Sequence, residues 1–241
     1  GDVIVIAGRP SMGKTSLAMN LANNVAKTNK LPVCYFSLEQ SREQLSYRFL
    51  SMDLGIESGR LQTGKLQLDE WDLLSKAIED FGELPIFICD KETIKVKEML
   101  SKSRKIKEKV GLGELGLVVV DYIQMMDSPN KESRDKELSK IMVELKKMAK
   151  ALDVPVVLMS QLSRDVERRE NHRPMLCDLR DSEGFENHSD VVIMLYRDEY
   201  YQPETKDRGI AELIVTKQKN GPIGTVKLLF EPQFTRYRNL A

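Results

Sequence analysis

The sequence predicts an α/β protein: a mostly parallel sheet with helices on both faces and a C-terminal antiparallel hairpin. Three observations carry this. Short β-branched runs alternate with helical-period segments along most of the 241 residues, the pattern of parallel strands joined by crossover helices. Residues 3–7, Val-Ile-Val-Ile-Ala, run directly into a glycine-bearing loop and then into a helical stretch. Near the other end, strand-like residues 210–216 and 225–230 flank Lys219-Asn220-Gly221-Pro222, a turn signal between two strands. No internal repeat or low-complexity linker interrupts the chain, so one domain covering residues 1–241 is expected.

In order, residues 16–27 place apolar side chains at 17, 18, 21, 22, 25 and 26, one face of a helix. Residues 33–38 form a second strand ending at Glu39, and Ser41 is suited to cap a helix running to about residue 52. A turn at 61–64, a helix over 69–81 and a strand over 85–89 follow. Residues 93–109 make a strongly charged amphipathic helix, expected as a solvated outer layer. Residues 116–121, Gly-Leu-Val-Val-Val-Asp, give the strongest strand signal. The polar stretch 128–135 is expected to be a mobile loop, 137–152 a helix, and 154–159 a strand leading into Ser160-Gln161. Residues 163–180 read as irregular and arginine-rich, and 190–196 as another strand.

Lys and Arg together number 37, as do Asp and Glu, so the net charge is zero and any nucleic-acid site must be a local patch. No apolar run reaches the roughly eighteen residues of a membrane span, so no membrane partner is expected and the cytoplasm is the expected compartment. Cys34, Cys89 and Cys177 are widely spaced, which points to reduced, buried thiols and against a zinc site.

The chemistry starts at Gly8-Arg9-Pro10-Ser11-Met12-Gly13-Lys14-Thr15, which fits G-x-x-x-x-G-K-[ST] between a strand and a helix. Such a loop wraps backbone N–H groups around phosphate at a helix N-terminus. Gly8, Ser11, Met12, Gly13, Lys14, Thr15 and Ser16 are therefore the candidate nucleotide contacts. Lys14 would neutralise phosphate charge, and the Thr15 hydroxyl would ligate Mg²⁺ with ATP as the nucleotide. Asp121, ending an apolar strand, is placed as the second carboxylate toward that metal. Glu39 ends another strand, where a carboxylate can polarise an attacking water, against the alternative of an exposed residue at a helix entry. Gln161 is read as a γ-phosphate sensor or a DNA contact, or simply as a polar strand end.

Three basic groups remain. Arg164, Arg168, Arg169 and Arg173 lie in the loop after a strand, which read alone could be only a solvated loop. Lys217 and Lys219 flank the hairpin turn and could project to a neighbouring subunit. Arg180 precedes a short glycine-containing segment able to present N–H groups to a phosphate.

The segments GRPSMGKT, YFSLEQS, VVVDYIQMM, MSQLSR, DLRDS, DVVIMLYRDEYY and TKQKNGPIGTVKLLF occur in that order over nearly the whole chain. Together they resemble the motor domain of the bacterial replicative DNA helicase of DnaB type, including its phage members. The resemblance implies a RecA-like P-loop fold and a homo-hexameric ring with ATP sites between subunits. It implies 5′ to 3′ travel on single-stranded DNA, with primase and a helicase loader as partners. It makes Lys14 and Thr15 the phosphate and Mg²⁺ residues, Glu39 the catalytic base, Asp121 the Walker B acid and Gln161 the sensor. It sets Arg48 near the bound phosphates and makes Lys217 and Lys219 the residues acting in trans. Arg180, Asp181 and Gly184 fall in the loop that grips DNA. Family members also carry an N-terminal collar domain and a linker helix, so this chain is expected to be the motor part of something longer.

Two positions depart from the family pattern. Position 219 is lysine where arginine is usual, and a compact ammonium lacks the planar fork of a guanidinium. Glu183 stands where the DNA loop has glycine, placing a carboxylate near the expected phosphate path. A RecA-like recombinase or repair ATPase, and a nucleotide-dependent assembly module that does not unwind, are the competing expectations. The SLEQS and KQKNGP pair favours the helicase over both.

Overall fold

Strands that are apolar at every position must be covered on both faces. The structure of the chain, a computed structural model, shows how; it describes residues 1–111, 113–126, 134–179 and 182–240. A nine-stranded sheet forms from β1 (Val3–Gly8), β2 (Val33–Ser37), β3 (Ile86–Cys89), β4 (Leu117–Asp121), β5 (Val156–Gln161), β6 (Val191–Tyr196), β7 (Ile210–Gln218), β8 (Gly224–Glu231) and β9 (Arg236–Asn239). Their order is β3-β2-β4-β5-β1-β6-β7-β8-β9. The first six are mutually parallel, and the last three follow β6 with each antiparallel to the strand before it. β1 is thus central, and its C-terminal end opens between β5 and β6.

The helices are α1 (Lys14–Asn24), α2 (Arg42–Leu54), α3 (Ser58–Thr63), α4 (Leu68–Gly82), α5 (Val96–Lys109), α6 (Arg134–Leu152), α7 (Ser182–His188) and α8 (Asp198–Tyr201). Alternation along β4 divides the core. Val118 and Val120 join the cluster that packs beneath α5, α6 and α7. Leu117 and Val119 join the cluster beneath α1 and α2, which Phe230 and Tyr237 also enter. Ser41 caps α2 as its side chain predicts, accepting from the Gln44 amide while Gln44 bonds back to the Ser41 amide.

Four expectations change. Residues 61–64 are not an isolated turn: α3 occupies 58–63 and ends at Gly64, whose φ of 67° is the left-handed conformation of a helix stop. The glycine-containing segment after Arg180 is not an open loop but helix α7. Gly184 lies against Ser139 of α6 so closely that an added Cβ would sit 2.4 Å from its Oγ. Cys177 is exposed, whereas Cys34 is buried; all three thiols are free. The stretch 163–180 contains two short 3-10 turns, Arg164–Arg168 and Leu176–Asp178, closed by a bridge between Leu162 and Leu179. Of the expected loop 128–135, residues 128–133 lie outside the described residues and 134–135 begin α6. No helix among the described residues is long and apolar enough to cross a membrane.

Candidate active site

Residues at the C-terminal ends of parallel strands face a common crevice, so loops following β1, β2, β4 and β5 converge by topology alone. They line a cavity of about 430 Å³. From the phosphate loop and α1 come Ser11, Gly13, Lys14, Thr15 and Ser16; from the ends of β2, β4 and β5 come Glu39, Asp121 and Gln161. Arg48 of α2, also anticipated from sequence, joins them, and Arg197, Phe230, Pro232 and Thr235 close the far side. Gly8 and Met12 are not among the lining residues. Gly8 ends β1, and the Met12 side chain is buried in the core beneath α1.

The loop is held from within. Gly13 adopts a φ of 96°, and a Cβ there would lie 2.4 Å from the Tyr237 hydroxyl, so glycine is required twice over. Tyr237 donates toward the Gly13 carbonyl at 3.3 Å and the Met12 carbonyl at 3.4 Å. Asn20 fastens α1 to β9, donating to the Thr235 carbonyl at 3.1 Å and accepting from the Tyr237 amide at 3.1 Å. Arg197 donates to the Ser11 carbonyl at 3.0 Å and stacks 4.7 Å from the Phe230 ring centre.

Lys14 Nζ donates to the Arg9 carbonyl at 3.0 Å. Burial lowers its pKa to about 8, with Arg9 adding to the fall and Asp121 and Glu39 opposing it. Asp121 shifts the other way. Burial raises its carboxyl pKa, helped by Glu39, while hydrogen bonds from Thr15 and Tyr35 and the charge of Lys14 act against the rise. The Tyr35 hydroxyl, wholly buried on β2, donates to Asp121 Oδ2 at 3.2 Å. The Thr15 hydroxyl and the Asp121 carboxylate, already in contact beside this cavity, would fit the small oxygen donor set that Mg²⁺ takes alongside nucleotide oxygens. Gln124 ties β4 to β5, donating to Ser160 Oγ at 2.8 Å and accepting from the Gln161 amide at 3.3 Å, which fixes where Gln161 leaves its strand.

Other candidates lie away from this cavity. Lys217 and Lys219 both meet the 186–190 segment of their own chain. Lys217 Nζ donates to the Ser189 carbonyl at 3.0 Å and also to that of Glu186. Lys219 Nζ pairs with Asp190 Oδ1 at 2.9 Å. The two side chains share a side, as their spacing predicts, but they fold back rather than stand free. Asp190 is the hub, accepting also from Lys146 at 2.5 Å and the Val3 amide at 2.8 Å. Burial raises its pKa, and these donors outweigh it and hold the carboxyl down at about 2.

In the arginine-rich loop, Arg164 and Arg168 are exposed. Arg169 instead turns onto Asp178, donating to Oδ2 at 2.7 Å and also to Oδ1, and reaches the Arg173 carbonyl at 2.9 Å. Arg173 pairs with Glu212 and stacks 4.8 Å from the Tyr196 ring centre. Arg169 and Arg173 therefore brace the loop, and Gly184 is taken up in packing against α6. Arg180, Asp181 and the Glu183 side chain lie outside the described residues. Sequence reasoning assigns nothing to Tyr35, Arg9, Arg197, Phe230 or Tyr237. All but Tyr237 stand inside motifs quoted above, yet Tyr35 looks there like any apolar strand residue.

With the geometry in hand, comparison with known proteins is decisive about ancestry. Residues 1–239 match the family model described as the DnaB-like helicase C terminal domain. The replicative DNA helicase DnaB of Geobacillus stearothermophilus is 42% identical over 241 residues, covering 99% of this chain and 52% of that protein. A probable replicative DNA helicase of Trieres chinensis is 45% identical, covering 98% and 52%. The chain thus spans about half the length of these relatives. Among solved structures, one described as an ATPase domain superposes with a TM-score of 0.95 at 37% identity, covering all of this chain and 85% of that one. A DnaB-like replicative helicase, described with its interactions with primase, gives the same TM-score and identity over 57% of its length. The fold is the RecA-like core of these ATPase domains, and the chain belongs to the DnaB-like helicase C-terminal domain family.

Proposed function

We propose that this chain is the motor domain of an ATP-dependent replicative DNA helicase. It works in a homo-hexameric ring, hydrolyses ATP between subunits, and moves 5′ to 3′ along single-stranded DNA to open the duplex. The observation that carries the reading is the cavity in which Lys14, Thr15, Glu39, Asp121 and Gln161 converge, in a chain of this family. Lys14 holds the β- and γ-phosphates in the ground state, and Glu39 orients and deprotonates the attacking water. Thr15 and Asp121 hold Mg²⁺, which neutralises charge on the phosphates. Gln161 senses the γ-phosphate, and Arg48 lies beside the bound phosphates.

Lys217 and Lys219 do not line their own subunit's cavity, which suits residues that act on a neighbour's nucleotide. The Arg164, Arg168 and Arg180 side chains carry phosphate contacts to DNA, and Asp181 belongs to the segment whose backbone N–H groups meet the phosphates. The half of the relatives that this chain does not span would supply the collar and linker helix. A primase and a loader are the expected partners, in the cytoplasm.

The test uses the full-length protein on forked duplexes with a 5′ or a 3′ single-stranded tail. Displacement of the 5′-tailed fork with ATP is expected, lost in Lys14→Ala through nucleotide binding and in Glu39→Gln with binding retained. Filament formation with strand pairing and no displacement would show a recombinase instead. ATP hydrolysis indifferent to DNA would show an assembly module.

A further inference from the structure

Arg9, the second residue of the phosphate loop, is almost wholly buried and does not line the cavity. Its guanidinium leaves the loop altogether. Nε and one terminal nitrogen each lie 2.9 Å from Glu167 Oε1, and the other donates to the Leu162 carbonyl at 3.0 Å. Glu167 belongs to the turn Arg164–Arg168, so the two exposed arginines of that turn flank the carboxylate that holds Arg9. On its other side, the Arg9 carbonyl is the acceptor for Lys14 Nζ. Lys14 cannot bond the Arg9 carbonyl and a nucleotide phosphate with the same proton. The ammonium has two further protons, but a phosphate that draws Nζ into the cavity pulls on its bond to the Arg9 carbonyl, so occupation of the cavity loads the Arg9 backbone. A buried guanidinium stripped of its partners is strongly unfavourable, so Arg9 and the 164–168 turn must move together. Leu162 reinforces this, because its amide donates to the Gly8 carbonyl at 3.3 Å.

We infer that Arg9 and Glu167 are positioning residues that couple nucleotide occupancy at Lys14 to the single-strand-binding geometry of Arg164 and Arg168. The inference rests on the proposal above that those two arginines contact DNA. Coupling of this kind is reciprocal: nucleotide tightens DNA by the factor by which DNA tightens nucleotide.

The experiment measures anisotropy of a labelled oligo-dT bound to the full-length protein, with and without a non-hydrolysable ATP analogue. The ratio of the two affinities is the coupling factor, expected to be about fivefold or more in the wild type. Glu167→Gln keeps the shape of the side chain and removes its charge, on a residue well exposed at the surface. It should bring the ratio toward one while changing the affinity for DNA alone, or analogue alone, by less than about threefold. As a second readout, amide exchange over 164–168 should slow on adding analogue in the wild type and not in the variant. A ratio and an exchange response unchanged in Glu167→Gln would overturn the link while leaving the DNA reading intact. A double Arg164→Ala, Arg168→Ala variant that binds oligo-dT as tightly as wild type would overturn the DNA reading and the link with it.

Discussion

Raising the pH from 7 to 9 should weaken nucleotide binding about tenfold through Lys14 alone. In the free protein this lysine has a pKa of about 8 because it is buried. It is then about nine-tenths charged at pH 7 and about one-tenth at pH 9. A triphosphate placed against it favours the ammonium and returns its pKa toward the ordinary lysine value. The bound pKa lies above the free one, so binding takes up a proton between the two. Affinity is complete below the free value of 8 and declines as the pH rises through it. The decline over two pH units corresponds to about 1.4 kcal/mol, with about half a proton taken up per nucleotide at pH 8. Titration calorimetry of an ATP analogue at pH 8, in two buffers of different ionisation enthalpy, reads that proton count directly. Lys14→Arg, which stays charged across the range, should bind with a flat profile from pH 7 to 9 whatever its absolute affinity. Equal wild-type affinity at pH 7 and 9, with no buffer-dependent heat, would refute the argument that burial depresses this group.

Three further outcomes are expected. Asp190 has a folded pKa of about 2 against 3.8 unfolded, so its contribution is complete above pH 4 and lost as the pH falls toward 2. Asp190→Asn should therefore cost up to about 2 kcal/mol in urea unfolding at pH 7 and far less at pH 2.5, and an equal cost at both would remove the ionic account. Tyr35→Phe should cost about 1 kcal/mol of stability and raise the Mg²⁺ concentration for half-maximal turnover, since Asp121 loses the donor on Oδ2; an unchanged Mg²⁺ requirement would show that the hydroxyl does not orient the carboxylate. Gly184→Ala should destabilise by about 1–3 kcal/mol through overpacking, because the new Cβ would meet Ser139 at 2.4 Å from Oγ and 2.9 Å from Cα; a wild-type melting temperature would mean that α7 can slide on α6.

The parts legible in sequence are those whose cause is local. The 8–15 loop announces itself because a phosphate cradle needs its glycines, lysine and threonine at fixed offsets between a strand and a helix. Asp121 and Gln161 are legible as strand ends because apolar runs stop there, and the sheet brings those ends together. Tyr35 is invisible for the converse reason. It alternates like a core residue, and nothing local says that its hydroxyl reaches β4. The inward turn of Arg169 depends on Asp178 nine residues on, and that of Lys219 on Asp190 twenty-nine residues back. Such pairings follow from the fold, and no spacing rule supplies them. The helix over 182–188 escapes a sequence reading because its seven residues are too few to show a period, and Gly184 within it suggests an open loop.

The fastening of Gly13 by Tyr237 has a consequence for how this molecule is made. The two residues are 224 positions apart, and the strand carrying Tyr237 also clasps α1 through Asn20. A ribosome produces the phosphate cradle among the first residues of this domain, and the latch that closes it among the last. Through most of synthesis the loop therefore lacks its hydroxyl brace and the Phe230 wall of its cavity. Competence for nucleotide arrives at the end of translation of the domain, as a final step and not a gradual gain. On the function proposed above, a nascent chain is in this way kept from engaging nucleotide before this domain is whole.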